Sequence, residues 1–213
     1  MTLGAWRPLA LGVGAVLLTA SLASAQVPIR VRGAIAKVSG QTLTISSRDN
    51  STVDVKLAAD YTVVGVVKAE LADIKAGAFV GVAALPQPDG SFRAQEVLIF
   101  PESARGAGEG HYPWDLSPGD LSPGDLSPGS TMTNATVDVM VERVEGPLLT
   151  LKHKGGTVTV SVPADVPIVT FAPGDRAMLQ AGAHVFIPAQ QHADGHVTAG
   201  RVLVGKDGLV PPM

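Results

Sequence analysis

Four of the chain's five histidines fall in its last third: His153, His184, His192 and His196. The last two flank Ala193-Asp194-Gly195, a composition that turns one strand back on another, so their imidazoles are expected to face each other across a short hairpin loop. Imidazoles paired in this way can hold Zn²⁺ or Cu²⁺, with Asp194 or a third histidine completing the shell. His192 and His196 are therefore the candidate metal ligands, and a weak divalent-metal-binding protein is one reading of the chain. The plainer reading is that exposed turns tolerate histidine, since the first half of the chain carries Pro86, Gln87 and Ser91 around a similar turn at Asp89-Gly90.

The second candidate is aromatic. Aromatic residues make up only 4% of the chain, yet His111-Tyr112-Pro113-Trp114 holds one of its two tyrosines and one of its two tryptophans. That run lies in a Pro/Gly-rich stretch where no strand is expected, which makes Tyr112 and Trp114 candidates for docking a protein partner at the cell envelope. Catalytic candidates are lacking. The chain contains no Gly-x-Ser-x-Gly, His-Glu-x-x-His, P-loop or dinucleotide fingerprint. Its carboxylates stand singly at turns and outward strand positions, where they form no acid/base pair. The expectation is a non-enzymatic protein with no cofactor; an enzyme with its site between two domains is the remaining alternative.

The elements that carry these residues occur twice. Residues 31 to 100 reappear, with variation, as 137 to 205. Val38, Gly40, Leu43 and Thr44 match Val144, Gly146, Leu149 and Thr150, and after a one-residue deletion Ala59-Asp60 matches Ala164-Asp165. The register then holds through Ala76-Gly77-Ala78 and Ala181-Gly182-Ala183, and through Asp89-Gly90 and Asp194-Gly195. A period this long signals duplicated small domains rather than a solenoid. Matching positions are expected to be buried alike, Leu43 like Leu149 and Val55 like Val160. If the copies pack about a two-fold axis, Glu96 faces its counterpart Arg201.

Within each copy the apolar residues alternate, at Leu43/Ile45 and Leu149/Leu151, then Val53/Val55/Leu57 and Val158/Val160/Val162, the period of half-buried strands. A preceding strand is expected over 31–38 and 137–144. The only helix candidates, 69–74 and 175–179, precede a closing pair of strands. About five strands in sequential hairpins with one helical turn give the order of a small OB-like barrel, with a short open sandwich as the competing assignment.

These residues also resemble a known family. Gly33-x-Ile35-x-x-Val38-x-Gly40-x-x-Leu43-Thr44-Ile45, Asp73-Ile74-Lys75-x-Gly77-x-x-Val80 and Asp89-Gly90-x-x-x-Ala94-x-x-Val97 are similar to the bacterial exported domain of unknown function 5666. That resemblance implies an OB-like β-barrel, often in tandem, and brings no catalytic residues. The second copy departs from it, with Val139 in place of Gly33 and Met178-Leu179-Gln180 in place of Asp73-Ile74-Lys75.

The fold class expected is thus all-β, two tandem small OB-like barrels joined by a Pro/Gly-rich linker. The domains expected are a signal peptide over 1–25, barrels over 26–100 and 137–207, a linker over 101–136 with three Asp-Leu-Ser-Pro-Gly units, and a tail over 208–213. Arg7, an apolar run from Leu9 to Leu22 and Ala23-Ser24-Ala25 supply the three parts of the leader. With Cys 0 the barrels must stand on apolar packing. One of the 16 basic residues lies in the leader, against 19 acidic residues beyond it. A mildly acidic chain with no basic cluster is a poor match to nucleic acid. No later segment is apolar and long enough to span a membrane as a helix, so a periplasmic or secreted location is expected.

Overall fold

The computed structural model describes residues 26–47, 51–114, 129–142 and 146–213. The leader over 1–25 and most of the three Asp-Leu-Ser-Pro-Gly units lie outside these residues. Among the described residues the fold is all-β: twelve strands joined in one hydrogen-bonded sheet, with four single turns of 3-10 helix and no longer helix. The strands are β1 Val27–Ser39, β2 Thr42–Ser46, β3 Thr52–Lys68, β4 Phe79–Pro86, β5 Phe92–Ile99, β6 Gly110–Pro113, β7 Thr131–Val141, β8 Leu148–His153, β9 Gly156–Ser161, β10 Ile168–Pro173, β11 His184–Gln191 and β12 Val197–Gly205.

The pairing closes two five-stranded circuits, and each draws on both sequence copies. In the first barrel β1, β2 and β3 of copy one are completed by β11 and β12 of copy two, with β12 closing on β3 in parallel from Val197↔Val55 to Gly205↔Val66. In the second barrel β7, β8 and β9 of copy two take β4 and β5 of copy one, and the parallel closure of β5 on β9 is short, Phe92↔Val160 and Arg93↔Ser161. The contiguous domains expected over 26–100 and 137–207 are therefore not the packing units. The copies have exchanged their last two strands.

The length of β3 explains the exchange. A strand of 17 residues runs for about 55 Å, long enough to leave the first barrel and deliver the chain to the second. The equivalent stretch of copy two is broken into β9 and β10, because Pro163 and Pro167 stand where copy one has Ala58 and Thr62, and proline has no N–H to give a ladder. β10 then pairs antiparallel with the far end of β3, centred on Val66↔Phe171. Those two residues match each other in the sequence repeat, so a local two-fold axis passes between them.

Alternation along the strands fills both barrels. Val31, Ile35, Leu43, Ile45, Val55, Val185, Ile187 and Val202 form the first core. Val80, Val82, Val97, Val137, Leu149, Leu151, Val158 and Val160 form the second. Leu43 and Leu149 are both 0% exposed, as are Val55 and Val160. The helix candidates shrink to single 3-10 turns, Leu71–Asp73 and Arg176–Met178, each followed by one apolar plug, Ile74 or Leu179, in the core its following strands enter.

Two other expected boundaries change. The stretch expected as linker over 101–136 contains β6 and the first residues of β7. The expected tail is not loose: Pro211, Pro212 and Met213 are buried, and Arg32 donates from Nε to the main-chain oxygen of Met213 at 2.6 Å. A third apolar layer, Val66, Leu98, Val169, Phe186, Leu203 and Met213, lies between the barrels.

Candidate functional site

His192 and His196 do meet, but as a stack. Their ring centroids are 3.8 Å apart and the planes differ by 10°. Face-to-face rings send their in-plane lone pairs side by side rather than toward a common point, whereas a shared ion needs convergent donors. One nitrogen of each is also engaged: His192 Nε2 lies 2.9 Å from Thr198 Oγ1, and His196 Nδ1 contacts Asp194 Oδ1. Hydrogen bonds from the His196 backbone and side chain hold the Asp194 carboxyl below its usual pKa. Among the described residues no three His, Cys, Asp or Glu side chains group to hold a metal.

The matching turn of copy one explains this arrangement. There Gln87 N–H donates to Ser91 O, and both the N–H and Oγ–H of Ser91 donate to Asp89 Oδ1 at 2.9 and 2.6 Å. Copy two repeats the pattern, with His192 N–H donating to His196 O and His196 N–H to Asp194 Oδ1. His196 thus occupies the place of a turn serine. His153 and His184 lie elsewhere; the His153 ring is 6.3 Å from that of His111.

Tyr112 and Trp114 belong to a different place from the exposed loop expected of them. β6 adds to the edge of β7 in register, Gly110↔Asn134 to Pro113↔Thr131. Alternation along β6 sends Tyr112 and Trp114 inward and leaves His111 and Pro113 exposed. Trp114 is 8% exposed and packs with Ala83, Met132 and Tyr112. The Arg30 guanidinium of the first barrel sits 3.8 Å over its ring, so this one side chain, carried on the second barrel, reaches across to the first. Ser130 pins the end of the strand, donating from Oγ to Trp114 O at 2.7 Å and accepting through its carbonyl from Trp114 N–H. Farther back, Glu109 accepts from Lys154 N–H and pairs with its Nζ at 3.4 Å.

These residues form part of the wall of a cleft of about 170 Å³ between the barrels. The second barrel contributes Glu96, Leu98, Phe100, Met132 and Asn134 with the β6 aromatics; the first contributes Phe186, Pro188, Arg201 and Leu203; Phe171 and Met213 complete it. Glu96 and Arg201, the pair expected to approach about a two-fold axis, both lie on this wall. Glu96 is 2% exposed, while Arg201 is exposed at the rim.

Trp114 Nε1 and Asn134 Oδ1, both on residues of this wall, are buried without a hydrogen-bond partner among the described residues. The rest of the Asn134 amide is used: Nδ2 donates to Ala107 O at 3.1 Å and to the Tyr112 hydroxyl at 3.2 Å. Its oxygen lies over the bare Cα of Gly81, where a Cβ would approach it to 2.6 Å and Phe100 to 3.0 Å. Burial raises the Tyr112 phenol above its ordinary pKa, partly opposed by the charge of Arg30, so Tyr112 is a neutral hydroxyl at neutral pH. Sequence reasoning reached Tyr112, Trp114, Glu96 and Arg201 but missed Asn134, Gly81 and Arg30. Thr131-Met132-Thr133-Asn134 is strand-like in composition, and reading it as part of β7 was the available signal.

The arrangement offers a mostly apolar and aromatic wall with one carboxyl, one carboxamide and one guanidinium side chain set in it. Among the described residues no helix is long and apolar enough to cross a membrane. No family model matches the chain, and no curated protein or solved structure matches it significantly.

Proposed function

We propose that this protein is an exported, non-enzymatic binding module of the cell envelope that takes a small ligand in the cleft between its barrels. The observation that carries the reading is the cleft of about 170 Å³ itself, walled mostly by apolar and aromatic side chains from both barrels with Glu96, Asn134 and Arg201 set among them. Pockets that bind small molecules are mostly apolar with a few placed polar groups. The export reading rests on the leader over 1–25 and agrees with the resemblance to domain of unknown function 5666. The non-enzymatic reading rests on the sequence, which carries no Gly-x-Ser-x-Gly, His-Glu-x-x-His, P-loop or dinucleotide fingerprint.

Native mass spectrometry of the protein isolated from the envelope tests the proposal. A small-molecule adduct is expected on the wild type and not on Pro188→Trp, which adds an indole at an exposed position of the cleft wall. An adduct retained by the filled variant, or none on the wild type, would overturn it.

A further inference from the structure

We propose that the groove between the barrels is a docking site for an extended, proline-containing peptide with an apolar anchor, and that residues 209–213 are a strap holding this site in cis. Met213 belongs both to the apolar layer of the groove and to the wall of the cleft, so the two sites adjoin. The partner differs: the groove takes a polypeptide, in addition to the small ligand of the cleft.

The strap itself shows what the groove accepts. Its sequence is Leu209-Val210-Pro211-Pro212-Met213, without a charged side chain. Each proline fixes its own φ and biases the residue before it toward extended backbone, so little entropy is lost when such a segment docks, and aromatic-lined grooves exploit this. Pro211, Pro212 and Met213 are buried. The Met213 side chain packs among Val66, Leu98, Val169, Phe186 and Leu203, with Phe100 and Phe171 against the same layer. Its main-chain oxygen accepts from Arg32 Nε at 2.6 Å, and the Arg32 guanidinium lies 5.1 Å from the Phe186 ring centroid. One apolar anchor and one backbone contact thus define the seat.

The two barrels are covered in different ways. Over the outer wall of the second, β6 is bound to β7 by a ladder of four residue pairs. Over that of the first, the strap has no ladder: among the described residues it belongs to no strand, and its main-chain hydrogen bond runs from Leu209 N–H to Lys206 O, within the turn at its own root. That turn passes through two successive left-handed residues, Asp207 (φ 52°) and Gly208 (φ 77°). A segment held by side-chain contacts at one end of the chain opens at a lower free energy than one held in a sheet. The strap is therefore the cover that a competing peptide can replace.

The probe is a fluorescent peptide of sequence Leu-Val-Pro-Pro-Met, with Leu-Val-Gly-Gly-Asp as control. In the full chain, Met213→Asp puts a carboxylate into the apolar layer and unseats the strap while leaving the groove's own residues intact. The probe is expected to bind this variant at least about tenfold more tightly than the wild type, because a tethered segment competes at an effective concentration of about millimolar. The control should bind neither. In the wild type, excess probe should carry the Met213 methyl resonance, assigned in ¹H–¹³C spectra by its loss in Met213→Leu, toward its solvent-exposed position. Should Met213→Asp fail to fold, this displacement in the wild type still decides. Equal affinity of the probe for folded variant and wild type, no binding to the folded variant, binding of the control as tight as that of the probe, or an unmoved Met213 resonance under excess probe would each overturn the proposal.

Discussion

The two barrels are alike inside and unlike outside. At inward positions of the exchanged strands the residues match closely: Val80 and Val185, Val82 and Ile187, Ala84 and Ala189, Val97 and Val202 are all buried. At the outward positions between them the copies diverge, with Gly81 against Phe186, Ala83 against Pro188 and Glu96 against Arg201. The second barrel's wall is shaved to glycine and alanine, and β6 brings Tyr112 and Trp114 over the space so made. At the corresponding edge of the first barrel the buried C-terminal residues approach instead, with Arg32 held by Met213. Packing demands constrain the inner face of both copies equally, whereas a barrel's stability leaves its outer wall free to take different neighbours. The divergence at these outward positions fits the binding reading proposed above.

Strand exchange gives the largest effect. Residues 26–100 hold β1 to β3 of one barrel and β4 and β5 of the other, so this fragment alone cannot close either circuit within itself. It is expected to be unfolded or to associate with a second copy of itself, and mixing it with residues 101–213 should restore a 1:1 complex, as read by size exclusion and circular dichroism. A stable folded monomer of 26–100 would mean that its five strands close on each other, and the exchange would be wrong.

Next come the cores. Leu43→Ala and Leu149→Ala each remove a side chain that is 0% exposed and should each cost about 2–5 kcal/mol, measured by urea unfolding. The two costs should be close to one another. A large inequality would show that the barrels, though alike in sequence, are not equally packed.

Inward alternation, the hairpin turns and the repeat were legible because they are local: period two, Asp-Gly turns and matching glycines act within a few residues. Strand exchange was not legible, because the sequence of β4 and β5 suits either barrel equally well; the same inward valines serve whichever sister they enter. Only the continuity of β3, where Pro163 and Pro167 of copy two have no proline counterparts, hinted that the chain runs on. The site divided in the same way. Tyr112 and Trp114 stood out by rarity, but their inward orientation depends on β6 pairing with β7, a contact between segments on opposite sides of the Pro/Gly-rich tract. Asn134 carried no signal of its own, since its unmatched oxygen is a product of packing over Gly81.

On the outer walls the effect is smaller. Gly81→Ala places a Cβ 2.6 Å from Asn134 Oδ1 and 3.0 Å from Phe100, and is expected to cost about 1–3 kcal/mol through overpacking while weakening the small-molecule adduct in native mass spectra. Position 186 of the other barrel carries a whole phenyl ring. A neutral Gly81→Ala in both assays would remove the asymmetry on which the site rests.

The pH response of the β6 anchor is smaller again. Desolvation, then the nearby His153, lowers the pKa of His111, whose Nδ1 lies 2.8 Å from Thr133 Oγ1. The unfolded chain therefore takes up this proton more readily than the folded one. Stability from this group is fully present above the ordinary histidine pKa of about 6.5 and falls as pH drops through that value toward the lower folded one. His111→Gln should flatten this part of the stability profile and leave the two cores untouched. The ring is exposed at the surface, so the change is expected to be slight.

Smallest of all is the effect expected at the paired turns. If His196 serves as the counterpart of Ser91, then His196→Ser should keep the bond to Asp194 and leave the melting temperature nearly unchanged. Calorimetric titration with Zn²⁺ or Cu²⁺ should then give equal, small heats for the wild type and the His192→Ala/His196→Ala variant, because parallel rings do not converge their lone pairs on one ion. A saturable heat lost in that double variant, and weakening below about pH 6 as the imidazoles protonate, would show instead that the stack opens to chelate. The two turns would then differ in function although they share the same hydrogen bonds, and the contrast between the barrels would extend from their walls to their rims.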